Sequence, residues 1–439
     1  MNRSKWPTAL ALAGIAAVAL WLRLHRLADH SLWVDEAFSV HFAHMHWRAF
    51  WKLAWSREAN MLLYYLLLRP WVQFGDGEYW VRLLSAIFGV AGVLMMYALG
   101  RDLFSRATGL IASALLAVHA FHVYYSQEAR SYSLTVFLLI GSAWLFARLV
   151  RKPASRRNQV AYALAAALAF YAHIFALLVI VSQWLAFLLS RAGSRDEERA
   201  EKPALRSLLP ALSMFLLLAL PMLAFALLKN KGQLDWIPPL TWHGFMQGLH
   251  AITGKGGGLL LALCLALAAT AVLCGFRSRD PQRLFAVLLL AFWVLFPIVV
   301  FMLYSLHQPL FLPRYLVLCV PAAVLLAAEG VTTLAGFASP LRLIWIPALA
   351  LLLALSARAA WRQHDSAVWP DWRSATRFVS AHWQGSDVLC FTGPGSEAFF
   401  YYWRQERQLD WDSLPATYYR NGTQCTMGFP EQLAKTSTP

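Results

Sequence analysis

Two adjacent carboxylates are prominent in a chain that is otherwise poor in charge. Asp35 and Glu36 lie side by side in the stretch SLWVDEAFSV, between Trp33 and Phe38. A carboxylate can act as a general base that removes a proton from a hydroxyl or an amine. An acidic pair beside long apolar runs is costly unless it is paired with a cation or used in a reaction. Asp35 and Glu36 are therefore the first candidates for catalytic residues.

Further charged residues are predicted at the same membrane face. The stretch YYSQEARSYSL carries Glu128 and Arg130, YWVRLLSAIFGV carries Arg82, and FLPRYLVLCVPAAVLL carries Arg314. Each of them alone is compatible with a structural role, as an arginine that extends to the lipid–water interface or as an ion pair. Arginine also binds phosphate in a bidentate geometry. Together, these carboxylates and guanidiniums suit a reaction on an anionic lipid head group.

The composition indicates that a membrane protein holds these residues in place. The chain has 439 residues, of which 59% are hydrophobic and 14% charged, whereas soluble domains carry about 25% charged residues. Several uncharged stretches reach the roughly 17 residues that a membrane span needs, which argues against a large soluble enzyme. The net charge of +15 does not indicate a nucleic-acid partner. The positive residues lie in short gaps between apolar runs, where they set the orientation in the membrane.

The apolar runs predict about eleven spanning helices. We place them at 7–23, 80–99, 108–124, 132–149, 159–172, 175–190, 207–228, 258–275, 284–304, 314–329 and 341–357. The fifth and sixth share one uncharged stretch that would be about 45 Å long as a single helix, too long for a hydrocarbon core of about 30 Å. We therefore divide it near His173. The first run is interpreted as a retained anchor, because no small-residue cleavage site follows Leu22.

Lysine and arginine predict the orientation of these spans. With the N-terminus inside, the inner segments are 1–6, 100–107, 150–158, 191–206, 276–283 and 330–340, several of which are strongly basic. The positive-inside rule then places SLWVDEAFSV on the outer face, towards a periplasm or lumen. With eleven spans the C-terminus also lies outside.

Two segments outside the membrane complete the predicted organisation. Residues 24–79 form a large outer loop, in which MLLYYLLLRPWVQF is too short to span and HFAHMHWRAFWKLAW has the mixed pattern of an interfacial helix. The simpler alternative is an amphipathic connector. The tail from 358 to 439 is polar and aromatic, with a helix pattern from Trp372 to His382 and then a strand pattern, DVLCF. It predicts a small extracytoplasmic α/β domain after a membrane domain at 1–357, in which Cys390 and Cys425 could pair.

As a set, these stretches resemble the GT-C superfamily of membrane glycosyltransferases. Within this superfamily, they resemble the bacterial aminoarabinose transferase and protein O-mannosyltransferase-like proteins of glycosyltransferase families 39 and 83. The stretches that carry the resemblance are LWVDEAFS, LYYLLLRPWVQFGDGEYWVRLLSAIFGVAGVLMMYALGRDLF, YYSQEARSYSL, YAHIFALL, PRYLVLCVPAAVLL and DWRSATRFVSAHWQGSDVLCF. The resemblance implies a GT-C fold and an inverting transfer of a sugar from a polyprenyl-phosphate-linked donor. The acceptor that the resemblance implies is a lipid, a glycan or a protein on the outer face of a bacterial inner membrane, towards the periplasm.

The resemblance also implies roles for individual residues. The first acid of the family corresponds to Asp35, the candidate base, with Glu36 as a helper or a structural partner, and the second acidic motif corresponds to Glu128. We assign the donor phosphate to Arg314, Arg130 and Arg82, and the acceptor side of the cavity to His173, Tyr124 and Tyr125. No cofactor is assigned, and a divalent cation near the acids is left open.

One departure from the family pattern concerns the acceptor side of the cavity. Relatives often carry a proline pair before LYY, where this chain has Asn60 and Met61.

Two functions other than glycosyl transfer would also account for parts of this sequence. A transporter or flippase of lipid-linked sugars would place ionisable residues near the middle of the bilayer, but the positions there are almost all apolar. A scaffold that binds a partner through its outer tail would not need an acidic pair in the first loop. Release of free polyprenyl phosphate separates a glycosyltransferase from a flippase, because a flippase leaves its donor intact.

Overall fold

The described part of the chain is mostly helical in the computed structural model. The structure describes residues 6–192, 205–229, 236–278, 280–338, 340–366, 370–384, 387, 389–391, 395–411, 417–420 and 423–426. Up to the last long helix, the α-helices in chain order are α1 (Trp6–Leu24), α2 (Val34–His44), α3 (Trp47–Leu53), α4 (Leu62–Trp71), α5 (Glu78–Leu103), α6 (Arg106–Ala117), α7 (Ala120–Ser126), α8 (Tyr132–Arg151), α9 (Arg156–Ala172), α10 (Ala176–Ala192), α11 (Leu205–Lys229), α12 (Trp242–Ile252), α13 (Gly258–Arg277), α14 (Pro281–Tyr304), α15 (Val320–Ala335) and α16 (Trp345–Ser366). A 3₁₀ helix over Pro313–Cys319 leads directly into α15.

Eight helices among the described residues are long and apolar enough to cross a membrane. They are α1, α5, α8, α11, α13, α14, α15 with its preceding 3₁₀ helix, and α16. Each lies over a predicted span, so the multi-pass membrane architecture is confirmed. Side-chain N-caps on Ser105, Ser155 and Asp280 begin α6, α9 and α14. All three caps lie in segments predicted to be cytoplasmic.

The predicted fifth and sixth spans form two helices of 17 residues each, α9 and α10. The break between them falls at His173, as predicted, because α9 ends at Ala172 and α10 begins at Ala176. Both helices are shorter than the eight long ones, so the count of eleven spans stays a prediction. Most of the predicted inner segment at 191–206 lies outside the described residues.

The predicted third span, 108–124, is broken rather than continuous. Its halves α6 and α7 are bent by 62°. The break releases backbone carbonyls that need hydrogen-bond donors inside the protein. The fully buried Arg23 at the end of α1 supplies them, because its guanidinium donates to the carbonyl oxygens of Ala117 at 3.1 Å and Leu116 at 3.3 Å. The bend redirects the chain just before the turn that carries Glu128.

The outer loop folds into short helices, in agreement with the prediction that MLLYYLLLRPWVQF is not a span. Its helix α4 has 10 residues, about 15 Å at 1.5 Å per residue. A π-helical turn (Ala54–Glu58) and a 3₁₀ turn (Ala59–Met61) connect α3 to α4. Arg69 of α4 donates to the carbonyl oxygens of Ala43 at 3.0 Å and Met45 at 2.5 Å. This contact fixes α4 against the end of α2, the helix that carries the acidic pair.

Past α16 the chain forms α17 (Trp372–His382), β1 (Leu389–Phe391), α18 (Ser396–Arg407), β2 (Thr417–Arg420) and β3 (Thr423–Thr426). Helix α17 has the bounds predicted from the sequence. The strands make an antiparallel sheet in the order β1–β3–β2, with Cys390 opposite Cys425 in the backbone register. Cys390 is disulfide-bonded. The predicted domain boundary at residue 358 falls inside α16, and the division into two domains stays a prediction.

The C-terminal elements pack against the outer loop. The backbone N–H of Leu32 donates to the Tyr402 hydroxyl at 2.6 Å. Arg373 of α17 forms an ion pair with Glu78, the first residue of α5, at 2.7 Å. These contacts bring α18 next to α2, so the tail and the acidic pair share one side of the molecule.

Candidate active site

The two adjacent acids lie on the first turn of α2 and face different surroundings. Successive residues of an α-helix are rotated by about 100°, so the two side chains point in different directions. Glu36 is completely buried, whereas the Asp35 side chain is 33% exposed. Glu36 also accepts the backbone N–H of Trp33 at 3.3 Å, as the third residue of a capping box does. The helix therefore separates a structural acid from an accessible one.

Glu36 is held by Arg82 in a bidentate ion pair. The Arg82 Nε lies 2.8 Å from Glu36 Oε1, and its Nη2 lies 2.7 Å from Oε2. The other guanidinium N–H groups donate to the carbonyl oxygens of Leu27, His30 and Ser31. An arginine side chain has five N–H donors, and all five of Arg82 are engaged. This geometry disagrees with the expectation that Arg82 binds the donor phosphate, because no donor remains for a phosphate oxygen.

Asp35 faces two arginines, both of which the sequence analysis singled out. Its Oδ2 lies 3.4 Å from Arg314 Nη1 and 3.8 Å from Arg130 Nη2. Arg130 Nη1 also lies within hydrogen-bond distance of the Asp35 carbonyl oxygen and the hydroxyls of Ser39 and Tyr65. Arg130 is thus fixed on α2 and α4. It keeps one positive charge beside the carboxylate.

Arg314 is more accessible than Arg130 and is flanked by aromatic rings. Its guanidinium carbon lies 5.7 Å from the ring centroid of Trp33 and 5.1 Å from that of Trp236. Its side chain is 25% exposed, compared with 11% for Arg130. Stacking on indole rings holds the plane of a guanidinium while its N–H groups stay available to a ligand. Arg314 is therefore placed to receive an anion.

A cavity of about 390 Å³ joins these residues and is partly open at the protein surface. It is lined by Val34, Asp35, Phe38, Glu58, Asn60, Met61, Arg130, Tyr132, Trp236, Arg314, Tyr315, Ser396 and Glu397. Three of the nine site residues assigned from the sequence are in this lining, namely Asp35, Arg130 and Arg314. The other six are not among the described residues that line it.

Glu128 lies in the turn between α7 and α8 and is not in the cavity lining. Its side chain is 3% exposed, and its Oε2 has no hydrogen-bond partner among the described residues. The carboxyl is hydrogen-bonded to the hydroxyl of Tyr124. Burial, followed by the nearby carboxylate of Glu36, raises the pKa of Glu128 to about 8. Glu128 is therefore mostly protonated at neutral pH, when it cannot serve as a base.

Replacing Glu128 with glutamine should change how stability depends on pH. The folded chain holds this proton up to about pH 8, whereas the unfolded chain loses it near 4.5. The protonated Glu128 carboxyl makes its full contribution to the free energy of unfolding below pH 4.5, and this contribution is lost as the pH rises towards 8. Glu128→Gln removes this titration. Its melting temperature relative to the wild type should rise between pH 5 and pH 8, by the equivalent of a few kcal/mol at about 1.36 kcal/mol per pKa unit.

Glu406→Gln is the matched control, because Glu406 pairs with the exposed Arg377 on the surface of the C-terminal elements. A difference between Glu128→Gln and the wild type that stays the same from pH 5 to pH 8 would show that Glu128 is already ionised in the folded protein.

His173 and Tyr125 belong to an aromatic cluster that backs the cavity. The His173 ring lies 6.0 Å from Tyr132 and 6.1 Å from Tyr315, both of which line the cavity. Tyr125 lies 4.5 Å from Tyr132. Burial, with a smaller contribution from the charge of Arg130, lowers the pKa of His173 to about 3, so the imidazole is neutral. These residues shape the wall of the cavity from behind.

The departure at Asn60 and Met61 falls on the cavity itself. Both residues line it, and the Asn60 side-chain oxygen accepts the backbone N–H of Ile174 at 3.0 Å. The outer loop is thereby tied to the turn between α9 and α10. A proline pair has no side-chain amide that could make this bond.

Six aromatic or charged residues of the lining were not assigned from the sequence, namely Phe38, Glu58, Tyr132, Trp236, Tyr315 and Glu397. Trp236 lies against the Arg314 guanidinium, and the Tyr315 ring lies 6.1 Å from that of His173. Glu58 and Glu397 add negative charge. Glu397 comes from α18, far from Asp35 along the chain, and no local pattern brings the two together. Tyr132 and Tyr315 lie within the stretches YYSQEARSYSL and PRYLVLCVPAAVLL, which carry the family resemblance. The sequence therefore did contain a signal for these two residues. Among the described residues, no group of three or more His, Cys, Asp or Glu side chains could hold a metal ion.

Comparisons with known proteins agree with this architecture. Residues 63–225 match the family of dolichyl-phosphate-mannose-protein mannosyltransferases. No curated protein matches the chain. The archaeal oligosaccharyltransferase AglB from Archaeoglobus fulgidus, in complex with an inhibitory peptide and a dolichol-phosphate, has a similar structure at 12% identity and a TM-score of 0.58. The alignment covers 92% of this chain and 60% of that one, so this chain spans less than two thirds of the length of AglB.

A bacterial structure is similar to a comparable degree. ArnT from Cupriavidus metallidurans, bound to undecaprenyl phosphate, has 13% identity and a TM-score of 0.55, and the match covers 89% of this chain and 74% of that one. The apo form of the same protein also matches, with a TM-score of 0.51. The chain therefore has the GT-C fold and resembles the GT-C glycosyltransferases, as its sequence motifs predicted.

Proposed function

We propose that this protein is an inverting glycosyltransferase that uses a polyprenyl-phosphate-linked sugar. It transfers the sugar to a lipid, glycan or protein acceptor on the outer face of a bacterial inner membrane, towards the periplasm. One observation carries the proposal. The accessible carboxylate of Asp35 lies 3.4 Å from the guanidinium of Arg314, in the lining of one open cavity. A candidate base and a candidate phosphate-binding arginine are therefore adjacent in a cavity that a sugar phosphate can enter.

The reaction is a single displacement at the anomeric carbon. The acceptor oxygen or nitrogen forms the new bond to this carbon, and the bond from the carbon to the phosphate oxygen breaks. The acceptor proton moves to Asp35, which must lie within about 2.6–3.2 Å of the acceptor atom. The electron pair of the broken bond stays with the polyprenyl phosphate, whose charge Arg314 and Arg130 stabilise. Attack from the side opposite the leaving group inverts the anomeric configuration.

The remaining site residues position this machinery. Arg82 and Glu36 tie the first turn of α2 to α5 and to the loop before it, so that Asp35 is presented at a fixed place. Glu128, in its protonated form, and Tyr124 form a neutral pair outside the cavity lining. This division of roles assigns one acid to proton transfer and the other two to structure.

The identity of the lipid carrier is supported by the structural neighbours. AglB is described with a dolichol-phosphate and ArnT with undecaprenyl phosphate. These carriers stay in the membrane, so a transferase must meet them at the level of the bilayer. The aromatic short helices of the outer loop suit contact with that interface, where Trp47 and Trp51 of α3 are exposed.

Arg314→Lys tests the phosphate site directly. Lysine keeps the charge but loses the bidentate geometry and the planar stacking surface, so affinity for undecaprenyl phosphate should fall by about tenfold. Binding can be measured for the purified protein in detergent or nanodiscs. Arg377→Lys is the control, because that side chain is 66% exposed on α17 and lies outside the cavity lining. Equal affinity of Arg314→Lys and the wild type would remove Arg314 from the phosphate site.

A further inference from the structure

Helix α18 of the tail supplies one wall of the cavity. Ser396 and Glu397, on its first turn, line the same space as Asp35. The Glu397 side chain is 34% exposed, and its Oε2 lies 3.0 Å from Nδ1 of His41 on α2. The His41 ring is stacked on Trp411, with ring centroids 5.3 Å apart and an angle of 7° between the planes. Glu397 is thus held in a defined position at the edge of the cavity.

The cavity lining has a basic side and an acidic side. Arg314 and Arg130 flank Asp35 on the basic side, and Glu397, paired with His41 of α2, supplies the carboxylate of the acidic side. A phosphate is attracted to the arginines and repelled by the carboxylates. Carboxylates accept hydrogen bonds from hydroxyl and amine groups. The acidic side therefore suits an uncharged polyol or an amine.

The covalent structure of the donor decides which group reaches the acidic side. The sugar is bonded directly to the phosphate, so a phosphate at Arg314 confines the sugar to the same cavity. The acceptor, by contrast, is free to approach from the open side. Glu397 and the arginines line one space of about 390 Å³, and the sugar has to occupy the part of it that the phosphate leaves.

We infer that Glu397 is a specificity-determining residue that accepts hydrogen bonds from hydroxyl or amine groups of the donor sugar, and that His41 positions it. This inference rests on the proposed function and extends it to the tail. The tail then takes part in substrate selection, because α18 closes a site whose reacting groups belong to the membrane helices and the outer loop. Loss of the Glu397 charge should weaken recognition of the sugar and leave recognition of the phosphate unchanged.

The test compares binding of undecaprenyl phosphate with binding of undecaprenyl-phosphate-linked neutral and amino sugars. The full-length protein is used in nanodiscs. The wild type should bind at least one sugar-linked lipid more tightly than the bare lipid. Glu397→Gln keeps the size of the side chain and removes its charge. It should weaken binding of that lipid by about tenfold, as expected for a lost hydrogen bond to a charged group, with no change for undecaprenyl phosphate.

Two further variants show whether the effect is local. Glu406→Gln changes the same residue type on the same helix, but Glu406 pairs with Arg377 and is not in the lining, so both affinities should stay at the wild-type value. His41→Gln should also weaken binding of the sugar-linked lipid, by a smaller factor than Glu397→Gln. The double variant of His41→Gln and Glu397→Gln should bind the sugar-linked lipid no more weakly than Glu397→Gln alone, because a positioning residue acts through its partner.

Three results would overturn the inference alone. They are equal binding of sugar-linked and bare lipids by the wild type, wild-type discrimination in Glu397→Gln, and an equal loss for both lipids in that variant. A wild-type protein that binds no undecaprenyl phosphate overturns the proposed function, and this inference with it.

Discussion

Asp35→Asn should lower turnover by about 10²–10⁴-fold, the usual contribution of a general base. Asparagine keeps the size of the side chain and cannot accept the acceptor proton. The Asp35 side chain is 33% exposed, and its ion pair with Arg314 is long, at 3.4 Å. Loss of the charge should therefore leave the folded structure intact. Affinity for undecaprenyl phosphate should stay the same or increase slightly, since Arg314 no longer has a competing carboxylate. Turnover, melting temperature and lipid affinity are the three measurements.

Asp29→Asn is the matched control. Asp29 lies in the same outer loop, where it forms an ion pair with the exposed Arg26 at 2.7 Å, so turnover should match the wild type. The alternative role for Asp35 is to hold the loop by pairing with Arg314. In that case Asp35→Asn would lower stability and lipid affinity together. Turnover of Asp35→Asn near the wild-type rate would exclude Asp35 as the base.

Glu36→Gln is expected to act on stability rather than on the chemical step. The variant leaves the Arg82 guanidinium buried without its counter-ion, since Arg82 is 4% exposed and Glu36 is 0% exposed. Breaking a buried ion pair by removing one partner costs about 3–5 kcal/mol. The melting temperature should fall by several degrees, and the activity of the protein that remains folded should fall far less than in Asp35→Asn. Thermal unfolding in detergent, combined with activity per folded molecule, separates the two effects.

The double variant Glu36→Gln with Arg82→Gln provides the control. Removing both charges eliminates the unpaired guanidinium, so part of the lost stability should return. If instead Glu36→Gln melts like the wild type and loses turnover to the same extent as Asp35→Asn, Glu36 takes part in proton transfer and the division of roles between the two acids is wrong.

The path of the membrane helices could be predicted from the sequence because it depends on local patterns. Apolar run length predicted the eight long helices, and the basic segments contain the caps Ser105, Ser155 and Asp280. The bend in the third span was missed. The carbonyl oxygens of Leu116 and Ala117 at the break are satisfied by Arg23, which belongs to the first span. No pattern within the third span reveals a partner on another helix.

The site could be predicted only in part, because its motifs are local whereas the contacts between its residues are long-range. Motif recognition singled out Asp35, Arg130 and Arg314, which meet in the cavity. It could not separate them from Arg82, because all the arginines were predicted at the same face. Only the fold shows that every N–H of Arg82 is already engaged. Glu397 was missed because the packing of α18 against α2 is a long-range contact.

Release of the lipid carrier tests the central claim most directly. The purified protein in nanodiscs is mixed with a polyprenyl-phosphate lipid extract and an envelope extract from the source cells, and free polyprenyl phosphate and new glycosylated products are followed by mass spectrometry. We expect free polyprenyl phosphate to appear together with an equal amount of one glycosylated product, and both to be lost in Asp35→Asn. A donor that stays intact while the wild-type protein moves it across a sealed vesicle membrane would contradict glycosyl transfer and indicate a flippase.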